Sequence, residues 1–126
     1  MTEWTKEQLN GFAEADDFHV SPFREDGKTY GTPTWIWSVV ADGNLYIRAY
    51  NGTNSRWYQA AKSEKAGRIH LNAQDYEVTF TPVAGDAALT ADINQAYNTK
   101  YGDSPYLPPM VTDKVISATV KVTPRD

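Results

Sequence analysis

Asp42-Gly43 stands between two runs that each alternate with a period of two, and this pairing constrains the fold more than any other stretch. Upstream, Trp35, Trp37 and Val39 fall on one face of a strand over 34–41, with Ile36, Ser38 and Val40 on the other. Downstream, Leu45, Ile47 and Ala49 alternate with Tyr46, Arg48 and Tyr50. The Asp-Gly dipeptide predicts that the two runs pair as a hairpin. Large groups on both faces predict a sheet that closes on itself or is covered on each side.

The other elements follow from local signals. Thr5, with Gln8 three residues on, reads as a capping box, and Trp4 and Leu9 as a hydrophobic staple. Leu9, Phe12 and Ala13 then give a helix of about three turns. Strands are expected over 18–23, with Pro22 marking an edge or an early termination, and over 68–71, 76–83 and 114–123. A short helix over 55–63 should stop at Gly67, and a longer one should start at Asp86 or Thr90 and end at Gly102. Pro105, Pro108 and Pro109 predict an irregular connection. The whole reads as one domain, 1–126: a mainly β fold of six short antiparallel strands in a small barrel, with two or three flanking helices.

Charge is unevenly placed. Asn44–Leu71 holds Arg48, Arg56, Lys62, Lys65 and Arg68 against the single acid Glu64, a local +4 in a chain of formal charge −4. Like charges repel, so such clustering costs stability unless the groups are spread in space or answered by an anion. Ser55 is placed to cap the short helix, which would set free N–H groups and the positive end of the dipole beside Arg56. The stretch therefore predicts a ligand carrying phosphate. Arg48, between Tyr46 and Tyr50 on one strand face, either holds such a group or packs its stem outward between exposed tyrosines.

Several function classes are disfavoured. The chain has no cysteine, which removes disulfide, Cys–zinc and thiol chemistry and fits a cytoplasmic setting. No apolar run approaches the roughly 20 residues of a membrane span, and the first ten residues lack the basic start and apolar core of a signal peptide. The acidic balance argues against general nucleic-acid binding. His19 and His70 are far apart in sequence, without metal-ligand spacing, and read as structural. Asp16-Asp17 and Glu25-Asp26 read as solvated loop acids. No Walker loop, dinucleotide fingerprint or Gly-x-Ser-x-Gly is present.

The run Ile36-Trp37, Val39, Gly43, Leu45-Tyr46-Ile47-Arg48-Ala49, Gly52, Ser55 and Trp57-Tyr58-Gln59-Ala60-Ala61, followed by Ala66-Gly67-Arg68-Ile69, resembles a family of small uncharacterised bacterial proteins. That family is grouped with the FMN-binding split barrels, which include pyridoxamine-phosphate-oxidase-like enzymes and deazaflavin-dependent reductases. The resemblance implies a split barrel, a cytoplasmic homodimer with a cleft between subunits, and oxidoreductase activity with FMN or deazaflavin on a small molecule. It places Trp57-Tyr58 where the reductases carry a Trp-Tyr behind their phosphate-contacting loop. Those reductases commonly have Pro before that Trp and Asn-Leu after the Tyr; here Arg56 and Gln59-Ala60 stand there. The candidate cofactor residues are thus Arg48, Ser55, Arg56, Trp57, Tyr58, Lys62 and Arg68, with no metal. Two alternatives keep the fold without a redox cofactor: a non-catalytic small-ligand barrel, and an interaction module whose aromatics serve only to form a dimer.

Overall fold

In the computed structural model, residues 3–50, 52–83, 86–102, 104–105 and 107–124 are described, the side chains at 109 and 113 excepted. The chain opens with helix α1 (Lys6–Glu14) and strand β1 (His19–Pro22). Strands β2 (Thr34–Trp35), β3 (Ser38–Ala41) and β4 (Asn44–Arg48) follow. A 3-10 turn at Gly52–Asn54 leads into α2 (Arg56–Glu64), then β5 (Ala66–Leu71) and β6 (Gln74–Pro82). Helices α3 (Ala87–Tyr101), α4 (Leu107–Met110) and α5 (Asp113–Ile116) precede the last strand, β7 (Thr119–Pro124).

All seven strands join one sheet in the order β2-β1-β5-β6-β7-β4-β3, antiparallel at every pairing. The two edge strands, β2 and β3, are consecutive in the chain and separated only by Ile36 and Trp37. Three Cα steps span at most about 11 Å, so the sheet must curl until its edges approach one another. The result is a curled half-barrel flanked by helices. The expected six strands become seven because the single strand over 34–41 breaks at Ile36-Trp37. Its first part pairs with β1 and its second with β4.

Local chemistry accounts for most element ends. Thr5 Oγ1 accepts from the Gln8 amide at 3.1 Å while the Gln8 side chain accepts from the Thr5 amide at 2.8 Å, the capping box read from the sequence. Asp42 and Gly43 have φ of 51° and 73°, the paired left-handed conformation of a two-residue hairpin turn, and glycine takes it without cost. Asp86 caps α3 through the Leu89 amide at 3.0 Å, and Gly102 ends that helix.

Three expectations are corrected. Helix α2 stops at Lys65, which takes the left-handed conformation (φ 64°), and β5 begins directly after it, so Gly67 lies inside the strand. Glycine is needed at 67 for space: a Cβ there would lie 2.5 Å from the Ser21 carbonyl oxygen and 2.6 Å from Pro22 Cα. The segment over 107–110 forms a helical turn where an irregular connection was expected, and the start of the expected strand over 114–123 is the helical turn α5. Of the two readings of Pro22, early termination holds: β1 ends there, beyond the two positions that β2 covers, and only β5 adjoins it.

The two sheet faces are buried by different helices. One face gathers Phe12, Phe18, Val20, Leu45, Ile47, Ile69, Leu71, Val78, Phe80, Val120 and Val122, with Tyr58 and Ala61 of α2 against it. On the opposite face of the β3–β4 hairpin, Val39 and Tyr46 pack on Ile93 and Tyr97 of α3 and on Leu107, Met110 and Val115. The alternation of β4 places Leu45 and Ile47 in the first core and Tyr46 in the second. Arg48 follows Tyr46.

Candidate functional site

Arg48 is fully buried, at 0% exposure, among the largest side chains of the interior. It is not the outward residue that one reading allowed. Its Nε donates to Thr119 Oγ1 at 3.1 Å, and its Nη1 donates to Asn94 Oδ1 at 2.6 Å and to the Met110 carbonyl at 3.1 Å. The Thr119 hydroxyl is itself fixed, donating to the Ile116 carbonyl at 2.6 Å. The guanidinium carbon lies 5.2 Å from the ring centroid of Tyr97, within cation–π range. A guanidinium has five N–H donors, so the two on Nη2 remain, and Nη2 is buried without a partner. Burial pushes the Arg48 pKa down, against a smaller upward pull from Tyr97. No carboxylate among the described residues forms an ion pair with it.

A cavity of about 570 Å³ opens beside this arginine, between the 36–37 bend and the segments after α3. Trp35, Ile36, Trp37, Tyr50, Ser104 and Met110 line it together with Arg48. Trp37 is held by stacking on Tyr101, with ring centroids 4.1 Å apart and planes 3° from parallel. Tyr101 in turn donates its hydroxyl to the Ser38 carbonyl at 3.1 Å, and burial raises its pKa to about 12. Trp35 is 54% exposed, with its indole N–H on the Asp16 carbonyl at 2.7 Å; Tyr50 is 50% exposed. Among the described residues the lining is therefore mostly aromatic and apolar, with the Ser104 hydroxyl and one buried cation.

The other candidate residues lie elsewhere. Ser55 holds the N-cap position of α2 but makes no side-chain cap bond. Arg56 is exposed and lines a second cavity of about 700 Å³ with Arg24, Glu25, Asp26 and Glu64. Two arginines there face three acids. Asp26 is engaged by its own turn, accepting from the Thr29 hydroxyl and from the Thr29 and Lys28 amides, which hold its pKa down to about 2. Trp57 packs partly buried against the first core and Tyr58 is buried in it. Lys62 is exposed. Arg68 lies over the Tyr30 ring, 4.2 Å from its centroid. The basic stretch is thus spread over separate surroundings. Two arginines line cavities, and those cavities are different ones.

Reasoning from sequence missed the partners of Arg48. Asn94, Met110 and Thr119 come from three later segments, and only Thr119 is a strand neighbour, paired with Arg48 across β4 and β7. The placement of Arg48 and Tyr50 on one face was available from the β4 alternation. His19 and His70, distant in sequence, are directly opposed on β1 and β5, with ring centroids 6.1 Å apart. His70 Nδ1 bonds Asp75 Oδ1 at 2.8 Å and its Nε2 lies 3.7 Å from Asp17. Asp17 is more than a solvated loop acid: its carboxylate accepts from the Asn72 and Ala73 amides at 2.7 and 2.9 Å. No group of three or more His, Cys, Asp or Glu among the described residues is arranged to hold a metal ion.

Fold and site together define a curled antiparallel half-barrel with flanking helices and an aromatic cavity over a buried arginine. The chain belongs to a family described as an uncharacterized protein conserved in bacteria (DUF2255), whose model matches residues 8–122. No curated protein and no solved structure matches the chain. Among the described residues no helix is long and apolar enough to cross a membrane.

Proposed function

We propose that this chain is a flavin- or deazaflavin-binding barrel acting as an oxidoreductase on a small anionic molecule held beside Arg48. One observation carries the ligand site: a fully buried arginine with two unused N–H donors borders an aromatic cavity. A buried charge without a counter-ion is costly, and an anionic ligand relieves that cost. The cavity volume lies within the roughly 300–1,000 Å³ of ordinary ligand sites. The flavin class comes from the resemblance to the FMN-binding split barrels.

In this reading Ser55 and Arg56 hold the cofactor phosphate. The Ser55 hydroxyl makes no cap bond, so it does not compete with a phosphate for the first-turn amides of α2. Trp57, Tyr58, Lys62 and Arg68 support that side of the molecule. A bound flavin supplies the redox chemistry, and the chain supplies binding, orientation and electrostatics. The setting is the cytoplasm, and the unit is a homodimer.

Titration with FMN and with a deazaflavin, followed by absorbance, tests the cofactor. Saturable binding of one of them is the expected result. Saturable binding of neither, with a small anion still bound at Arg48, leaves the non-catalytic ligand barrel. The exposure of Trp35 and Tyr50 favours a dimer face at the cavity rim. Sedimentation at micromolar concentration should show two copies, and a monomer there removes the dimer.

A further inference from the structure

We infer that the Arg48 cavity takes an aromatic monocarboxylate and selects it against the corresponding phosphate. The inference rests on the reading of this cavity as a ligand site and adds the chemical class of the ligand. Donor number is the first reason. Nε and Nη1 are committed to Thr119, Asn94 and the Met110 carbonyl. Both two-nitrogen faces of the guanidinium are therefore closed, and only the two N–H bonds of Nη2 remain. These diverge from one planar nitrogen, so one of them serves a carboxylate oxygen and they cannot clamp an anion as a two-nitrogen face does. A phosphate presents three strong acceptor oxygens, and among the described lining residues Tyr50 and Ser104 contribute only neutral hydroxyls, with no second arginine or lysine.

Charge is the second reason. A carboxylate and one guanidinium neutralise each other. A phosphate monoester carries close to two negative charges above its second pKa of about 6, so one charge would stay without a counter-cation among the described lining residues. That is a large penalty in a water-poor site. The aromatic walls supply the third element. Trp37 is locked by its stack on Tyr101 and offers a fixed face to a planar ring. Nη2 is buried without a partner, and Met110, whose carbonyl accepts from Nη1, has the unbranched, adaptable side chain that an entering anion would displace.

The test uses three ligands of one ring and three head groups: 2-naphthoate, 2-naphthyl phosphate and 2-naphthamide, at pH 8. Each is titrated into the full chain by calorimetry, with quenching of tryptophan fluorescence reporting contact with Trp35 and Trp37. Naphthoate should bind at least tenfold more tightly than either of the others. Arg48→Met should erase its advantage over the amide while far-ultraviolet circular dichroism stays unchanged. The matched trio on the unaltered protein decides the question even where that variant does not fold. Tighter binding of the phosphate overturns the carboxylate assignment and leaves the cavity as an anion site. Equal binding of all three overturns any role for the Arg48 charge. Saturable binding of none overturns both the assignment and the site reading beneath it.

Discussion

Arg48 Nη1 donates to Asn94 Oδ1 at 2.6 Å, tying the end of β4 to the middle of α3. This bond, with those to Thr119 and Met110, holds the guanidinium in one orientation and leaves Nη2 unused. A side chain kept for stability alone would gain from a carboxylate partner, and among the described residues none is supplied. Replacing it by Met therefore has two opposed effects: three hydrogen bonds are lost and an unpaired buried charge is removed. The orphaned acceptors on Asn94 and Met110 outweigh the relief of the unpaired charge, so Arg48→Met should lower unfolding free energy by about 1–3 kcal/mol, as measured by denaturant titration. A loss above roughly 3 kcal/mol, the scale of breaking a buried pair, would make Arg48 a structural residue first.

The β5–β6 hairpin carries strain that a single change should release. Asn72 and Ala73 have φ of 53° and 63°, and a left-handed conformation costs a residue with a Cβ about 1–2 kcal/mol. Asp17 holds the turn in place from another part of the chain through both amides. Ala73→Gly should raise stability by about 1 kcal/mol. Asp17→Ala should lower it by about 1–3 kcal/mol, because charge-assisted bonds to the turn amides are lost. Thermal melts of the two single variants and the double variant check this. The double variant should recover part of the Asp17→Ala loss, since the relaxed turn needs less support.

Lys100 gives the fold a pH dependence on the alkaline side. Its ammonium donates to the carbonyls of Phe12 and Ser38 at 3.1 and 2.8 Å, joining α1 to β3, and lies 5.3 Å from the Tyr101 ring centroid. Burial lowers its pKa from 10.5 to about 8, against the weaker upward pulls of Asp16 and Asp17. Between these two values the unfolded chain binds more protons than the folded one, so unfolding free energy rises with pH. Below about 8 the lysine is charged in both states and its desolvation weighs on the fold. Urea titrations from about pH 8 to about 9 should show stability climbing, before the buried tyrosines, whose pKa is raised, turn the slope downward near 10. The climb should flatten in Lys100→Met. An unchanged slope in that variant would place the dependence on another group.

Period-two alternation made β3, β4 and β6 legible, and the Asp42-Gly43 hairpin and the Thr5–Gln8 capping box needed only neighbours in sequence. The break at Ile36-Trp37 was not legible, because both residues continue the alternation. What interrupts the strand is the need of a curled sheet to pass its chain from one edge to the other. Likewise Gly67 looks like a helix stop until β1 is seen pressing on it. The site divides the same way. The side on which Arg48 falls follows from Tyr46, two residues earlier. Its burial depends on α3 and the segments after it, whose approach no local pattern encodes. The charge count over Asn44–Leu71 was real as a count, but the fold spreads its members among a buried network, a mixed-charge cavity and an aromatic ring.

Arg56 offers the sharpest test of where a cofactor phosphate sits. It opens α2 directly after Ser55, at the positive end of the helix, in a cavity that also carries Glu25, Asp26 and Glu64. Asp26 is committed to its own turn, which leaves Glu25 and Glu64 to oppose an entering anion. Backbone amides, the helix dipole and the guanidinium must together outweigh those two carboxylates. If they do, Arg56→Ala should weaken FMN by about 1.5–3 kcal/mol, the range for a hydrogen bond to a charged group. Riboflavin, with the same ring and no phosphate, should lose much less. Glu64→Gln should act in the opposite sense and tighten FMN, with the gain shrinking as salt is added. Arg56 is exposed, so its removal should leave the thermal midpoint within a few degrees of the parent. Equal losses for FMN and riboflavin in Arg56→Ala would mean that this residue does not read phosphate, and the search would move to Lys62 and Arg68.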